Sequence, residues 1–147
     1  MRSPCRALLL LSVVALAALG LSACAPVIGD GCDDSFECSV NGDRFCDGAQ
    51  PGGYCTVVGC DPDTCPDDAL CVEWRFEPSR LAESWCMRSC KNTSSCDRGP
   101  NYGCVFEGDE ALLDENGQPL ARVLDLNVPR DEFGTATTGF CAAVYAQ

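Results

Sequence analysis

The side chains able to do chemistry in this 147-residue chain are thiols and carboxylates: 14 cysteines, 22 Asp plus Glu, and no histidine. Without imidazole there is no Ser-His-Asp or Cys-His nucleophile and no zinc site that uses histidine. Four-cysteine zinc sites need reduced thiolates, whereas an exported chain meets an oxidising compartment in which disulfides form. No two cysteines are separated by just two residues, the spacing of a redox dithiol. Among the carboxylates, "DGCDD" (Asp30, Asp33, Asp34) and "DPDTCPDD" (Asp61, Asp63, Asp67, Asp68) offer oxygens. Neither has the Asp, Gly and Glu spacing of an EF-hand loop, and both read as solvated acidic loops. A glycosidase-type pair of carboxylates needs a cleft, which a stapled unit this small rarely encloses. The sequence therefore points to no catalytic residue, no metal and no cofactor.

One cysteine stands apart. Arg2 and Arg6 precede the uncharged run Ala7 to Leu21, which at 15 residues is short for a membrane span of roughly 20. No basic flank follows, and the next charge is Asp30. Ala23-Cys24-Ala25 satisfies the small-x-small rule for an ordinary secretory cut, which would leave Pro26 first. Leu21-Ser22-Ala23-Cys24 also resembles the lipobox of bacterial lipoproteins. That resemblance implies removal of 1–23 as a lipoprotein signal peptide and a lipid thioether on Cys24, with fatty acyl (palmitate) chains. Two or more chains would anchor stably, since each buried CH₂ contributes about 0.8 kcal/mol. Parity agrees: losing Cys5 with the signal leaves 13 cysteines, an odd set, and lipidation of Cys24 leaves 12. Ala25 lacks the acidic side chain associated with inner-membrane retention, so the outer membrane is the expected location.

The twelve remaining cysteines fall into three units. Cys32, Cys38, Cys46 and Cys55 have gaps of 5, 7 and 8 residues; Cys60, Cys65, Cys71 and Cys86 have 4, 5 and 14; Cys90, Cys96, Cys104 and Cys141 have 5, 7 and 36. The third gap absorbs all the insertion. An aromatic precedes each fourth cysteine: Tyr54, Trp85 and Phe140. Short bridges, "TVVG" and "MRS", join the units. The domain reading is a tether at 24–31, then units at 32–55, 60–86 and 90–141. Within each unit four cysteines allow three connectivities. Pairing first with second would leave open beads. First-to-third with second-to-fourth is preferred, because it makes a compact knuckle and ties the variable insertion back onto it. Closure entropy grows only with the logarithm of loop length, so one framework tolerates different insertions. Nested pairing, first-to-fourth with second-to-third, tolerates them equally and stays open.

"YCTVVGCDPDTCPDDALCVEW" and "WCMRSCKNTSSCDRGPNYGCVF" resemble the repeats of cysteine-rich lipoproteins from myxobacteria and related deltaproteobacteria. Cys65-Pro66, Cys71-Val72 and Cys104-Val105 fit that pattern, whereas Cys96-Asp97 and Cys38-Ser39 lack its proline. The resemblance spans Cys24 through Cys141 and implies an envelope lipoprotein, with no activity attached.

The elements that must position these cysteines are short. A unit of 25–30 residues is below the roughly 40 needed to fold on hydrophobic burial alone. Two disulfides per unit, each stabilising by about 2–4 kcal/mol, make up the deficit. The expected fold class is small and disulfide-rich, with three tandem four-cysteine units, short β-strands or hairpins, and little helix. "CVEWRFE" (71–77) alternates apolar and charged residues like a strand with one buried face. Asn116-Gly117, between apolar runs, signals a hairpin, with a short helix over Asp109 to Asp114 as the competing reading. "GTATTGFCAAVYA" (134–146) reads as a closing strand pinned by Cys141.

A net charge of −12 argues against nucleic acid or an anionic membrane surface as partner, since both need a basic patch. The functional expectation is a non-catalytic, membrane-anchored envelope lipoprotein with a structural or protein-binding role and a protein partner of unknown identity. The alternative is a secreted protease-inhibitor-like or toxin-like module, which would have no use for an anchor. "EWRFEPSRLAESW" (73–85) is the first candidate contact surface, because aromatics and arginine favour interfaces. The blander and preferred reading is that Trp74 and Trp85 cap the core of the second unit.

Overall fold

Every cysteine from Cys32 to Cys141 is disulfide-bonded in the computed structural model, which describes residues 26–75, 80 and 82–144. The pairing is the crossed one throughout. First-to-third bridges join Cys32–Cys46, Cys60–Cys71 and Cys90–Cys104, with Cα separations of 6.0, 5.9 and 5.8 Å. Second-to-fourth bridges join Cys38–Cys55, Cys65–Cys86 and Cys96–Cys141, with separations of 5.3, 5.7 and 5.4 Å. No bridge crosses between units.

One local rule builds all three units. The third and fourth cysteines face each other across an antiparallel strand pair: Cys46 opposite Cys55, Cys71 opposite Cys86, and Cys104 opposite Cys141. Neither bonds to the other. Each reaches back to the first or second cysteine, so the segment before the hairpin is stapled onto its two strands. The third gap is therefore the hairpin loop, and this is why it varies far more in length than the other two. A second repeated contact places a disulfide sulfur against the carbonyl oxygen of the unit's first cysteine: Cys46 Sγ at 3.2 Å from Cys32 O, and Cys71 Sγ at 3.1 Å from Cys60 O.

In unit 1, Asp34 caps the single-turn helix α1 (Ser35–Cys38), accepting from the N–H groups of Phe36 and Glu37, and Glu37 accepts from Asp33 N in return. Strands β1 (Phe45–Cys46) and β2 (Cys55–Thr56) complete it around a core of four cysteines alone. Units 2 and 3 are not separate beads. Strands β3 (Ala69–Trp74), β4 (Glu83–Cys90), β5 (Tyr102–Val105), β6 (Ala121–Val123) and β7 (Gly139–Ala143) form one sheet in the order β5-β7-β4-β3-β6. The "MRS" bridge lies within β4, so Cys86 of unit 2 and Cys90 of unit 3 sit on one strand. Unit 1 joins through the "TVVG" bridge: Cys86 N donates to Val57 O, and the buried Thr56 hydroxyl donates to Cys86 O.

Several expectations need correction. Residues 26–31 are not a free tether: Ile28 is buried in the main core, and Gly29 N and Asp30 O bracket Cys55 with backbone hydrogen bonds of 2.9 Å each. The strand expected over 71–77 starts two residues earlier and ends at Trp74, because Arg75 turns to a φ of 53°. Cys71 and Val72 are both fully buried, so β3 is covered on both faces, flanked by β4 and β6 and crossed by cystines. Around Asn116-Gly117 the hairpin and helix readings each hold in part: a single bridge joins Leu113 and Pro119, and a short 3₁₀ turn spans Glu110–Leu112. The closing strand is confined to β7, while 134–137 belongs to a turn.

Candidate functional site

The signal segment 1–23 and Cys24 lie outside the described residues. Among those described, no helix is long and apolar enough to cross a membrane. In each unit three cysteine sulfurs lie within 4.8 Å of one another, in the groups Cys32/Cys38/Cys55, Cys60/Cys65/Cys71 and Cys90/Cys96/Cys104. All are in S–S bonds and offer no thiolate to a metal. The acidic stretches are largely exposed, as solvated loops should be, and several of their carboxylates also fix the backbone. Asp30 accepts from Val27 N at 2.8 Å, and Asp34 caps α1. Asp63, at a φ of 60°, accepts from Leu126 N and Asn127 N, while its own N–H donates to the buried Asp125 at 2.7 Å. Asp125 also accepts from Cys71 N at 3.0 Å. The two aspartates clasp the start of unit 2 to the insertion of unit 3.

Four residues of the 73–85 segment, Trp74, Arg75, Glu83 and Trp85, line a cleft of about 270 Å³ between unit 1 and the β3–β4 hairpin. Alternation places Glu83, Trp85 and Met87 on one face of β4, and Trp74 lies directly opposite Glu83 on β3. The turn at 47–50 supplies Asp47, Ala49 and Gln50, and β2 supplies Thr56 beside Tyr54. The tryptophans do not simply cap unit 2. Trp74 packs edge-on against Phe140 of unit 3, centroids 5.7 Å apart, and Trp85 against Phe45 of unit 1 at 6.3 Å. Both remain partly exposed toward the cleft. Its rim carries charges of both signs, Asp47, Glu83 and Arg75, and none of them is in an ion pair among the described residues. The side-chain oxygen of Gln50 is buried there without a hydrogen-bond partner.

Tyr54 forms the back of the cleft and fastens unit 1 to the sheet. Its hydroxyl accepts from Arg88 N at 2.9 Å and donates to Cys141 O at 3.1 Å. Burial pushes its pKa up to about 12. Tyr102 stacks on it at 6.2 Å, and the Arg98 guanidinium lies 4.5 Å from the Tyr102 centroid. Arg98 Nη2 donates to Gly52 O at 2.9 Å, closing unit 3 onto unit 1. Sequence reading missed Arg98, Asp47 and Gln50, whose neighbours lie far along the chain.

A second feature projects from the unit 3 insertion. Asp114-Glu115-Asn116-Gly117-Gln118 and Asp131-Glu132-Phe133-Gly134-Thr135 make the same turn. In each, the aspartate N–H donates to the carbonyl four residues on, and the glycine N–H donates to the aspartate carbonyl. One aspartate side-chain oxygen accepts from the residues two and four ahead. The glycines have φ of 74° and 84°, as the left-handed position of such a turn requires. Arg130 braces the second turn, donating to the carbonyls of Gly134, Val123 and Asp125. Its tip, Phe133, is 84% exposed.

No family model, no curated protein and no solved structure matches this chain.

Proposed function

We propose that this protein is a non-catalytic envelope lipoprotein, anchored through Cys24, whose disulfide-stapled body presents a rigid surface to a protein partner. Six disulfides make it a module suited to an oxidising, exported environment. The lipobox-like Leu21-Ser22-Ala23-Cys24 and the even count of the remaining cysteines support the anchor. The repeat itself, with an aromatic before each fourth cysteine, supports grouping the chain with the myxobacterial type of cysteine-rich lipoprotein, held at the outer membrane. Because the packed body begins by Ile28, a lipid on Cys24 would hold it close against the bilayer.

The observation that carries the protein-contact reading is Phe133. The twin turn forms equally well with Asn116 at the equivalent position, so the turn does not need an aromatic there. A large apolar ring held outward on a braced turn is a preorganised anchor, since little conformational entropy is left to lose on binding. Asp131 and Glu132 flank it, so the fitting partner has an apolar pocket with a basic rim. An inhibitor that fills a protease cleft offers an extended strand for pairing, and Phe133 sits instead on a tight turn.

Two assays test this reading. Wild-type protein should take up labelled fatty acid and partition into detergent, and Cys24→Ser should do neither; an unlabelled wild type refutes the anchor. Phe133→Asn should leave stability within about 0.5 kcal/mol of wild type and abolish binding to the envelope partner. Phe36→Asn, at another exposed ring, should keep it. Equal binding by Phe133→Asn refutes the contact.

A further inference from the structure

We infer that the cleft between unit 1 and the β3–β4 hairpin is a binding site for a neutral sugar ring. The floor and walls are aromatic or apolar: Trp74, Trp85, Tyr54 and Met87. The edge carries polar groups: the Asp47 carboxylate, one oxygen of which accepts from Ala49 N, the unpartnered Gln50 oxygen, and Glu83 and Arg75, which are in no ion pair among the described residues. A cation would be favoured by two carboxylates and opposed by Arg75, and an anion would meet the reverse. A neutral polyhydroxylated ring satisfies both kinds of group. Each hydroxyl donates to a carboxylate or to the Gln50 oxygen and accepts from the guanidinium. Its C–H face meanwhile lies on the indoles. Small-molecule sites are typically about 300–1,000 Å³, so a cleft of about 270 Å³ has room for one ring and not for an extended chain.

Arg75 gives a second, independent indication. It is a non-glycine residue at a φ of 53°, with its N–H fixed to Leu120 O at 2.9 Å. Glycine adopts this conformation without cost, whereas arginine does not. The side chain is exposed and has no hydrogen bond or ion pair among the described residues. A strained backbone that holds an exposed guanidinium at the mouth of an aromatic cleft points to a binding group.

The chain's two tryptophans both line this cleft, so intrinsic fluorescence reads it directly. Mature, oxidised protein is titrated with glucose, galactose, mannose, N-acetylglucosamine and their disaccharides. Hexa-arginine peptide and citrate serve as charged probes. One neutral sugar should give a saturable change, with binding weakened at least tenfold in Arg75→Gly and in Glu83→Gln. Arg75→Gly should melt no lower than wild type, which separates lost binding from lost folding, and Phe133→Asn should bind normally. An insoluble-polysaccharide pull-down distinguishes a chain terminus from a free sugar as source. Saturation by hexa-arginine or citrate alone, no saturable change with any sugar, or undiminished binding by Arg75→Gly overturns the assignment.

Discussion

At the scale of single residues, the groups that matter most are polar and buried. Asp125 is 5% exposed and satisfies the N–H of Cys71, which is wholly buried, together with that of Asp63. Asp125→Ala should destabilise by about 1–3 kcal/mol, because a buried donor is left unmade. Guanidinium denaturation with disulfides intact measures it. Tyr54 makes stability depend on alkaline pH. Its folded pKa lies above the ordinary value of 10.0, at about 12, through burial. Above pH 10 the unfolded tyrosine loses its proton first, so the unfolded state binds fewer protons and stability falls as pH rises toward 12. The loss should reach about 2–3 kcal/mol, and Tyr54→Phe should remove this alkaline limb while costing stability at neutral pH.

At the scale of elements, the repeat is a hairpin with its third and fourth cysteines face to face and a small residue two places before the fourth. Gly53, Ser84 and Gly139 occupy that place, each against the unit's own cysteines. A Cβ on Gly53 would lie 1.8 Å from Cys32 O, and one on Gly139 would lie 2.7 Å from Cys104 Sγ. Ser84 instead donates to Cys60 O at 2.8 Å. Gly53 also has a φ of 65°. Gly53→Ala should therefore cost about 3 kcal/mol or more, and Gly139→Ala less, as thermal melts with intact disulfides would report. The aromatic before each fourth cysteine was legible in the sequence, and so was the closing strand, because both depend on local pattern. The small residue before it was equally visible in "GGYC", "ESWC" and "TGFC", yet its meaning appears only once the first cysteine is seen packed against it. β6 was hidden for a different reason. Ala121-Arg122-Val123 is too short to declare a period, and its partner β3 lies some fifty residues away.

At the scale of the whole molecule, spacing revealed the three-unit framework but not how the units combine. The "MRS" bridge reads as a linker because it is short, yet it lies within the C-terminal half of the sheet's central strand. The insertion of unit 3 was read as local structure, and it donates β6 to unit 2 and the Asp125 clasp. The cleft was legible only as a run of tryptophan, arginine and glutamate. Its other wall comes from unit 1, whose placement depends on Tyr54, Tyr102 and Arg98 meeting across the fold. All of this rests on the crossed pairing: pairing first with second would release the segment stapled to each hairpin, and nested pairing would exchange the strands that its two cysteines hold. The most direct test is peptide mapping of the mature protein under non-reducing conditions, with free thiols blocked. It should recover Cys90–Cys104 and Cys96–Cys141 in unit 3, the corresponding crossed pairs in units 1 and 2, and no free thiol among the twelve. A Cys96–Cys104 bridge, or any bridge joining two units, would contradict the account.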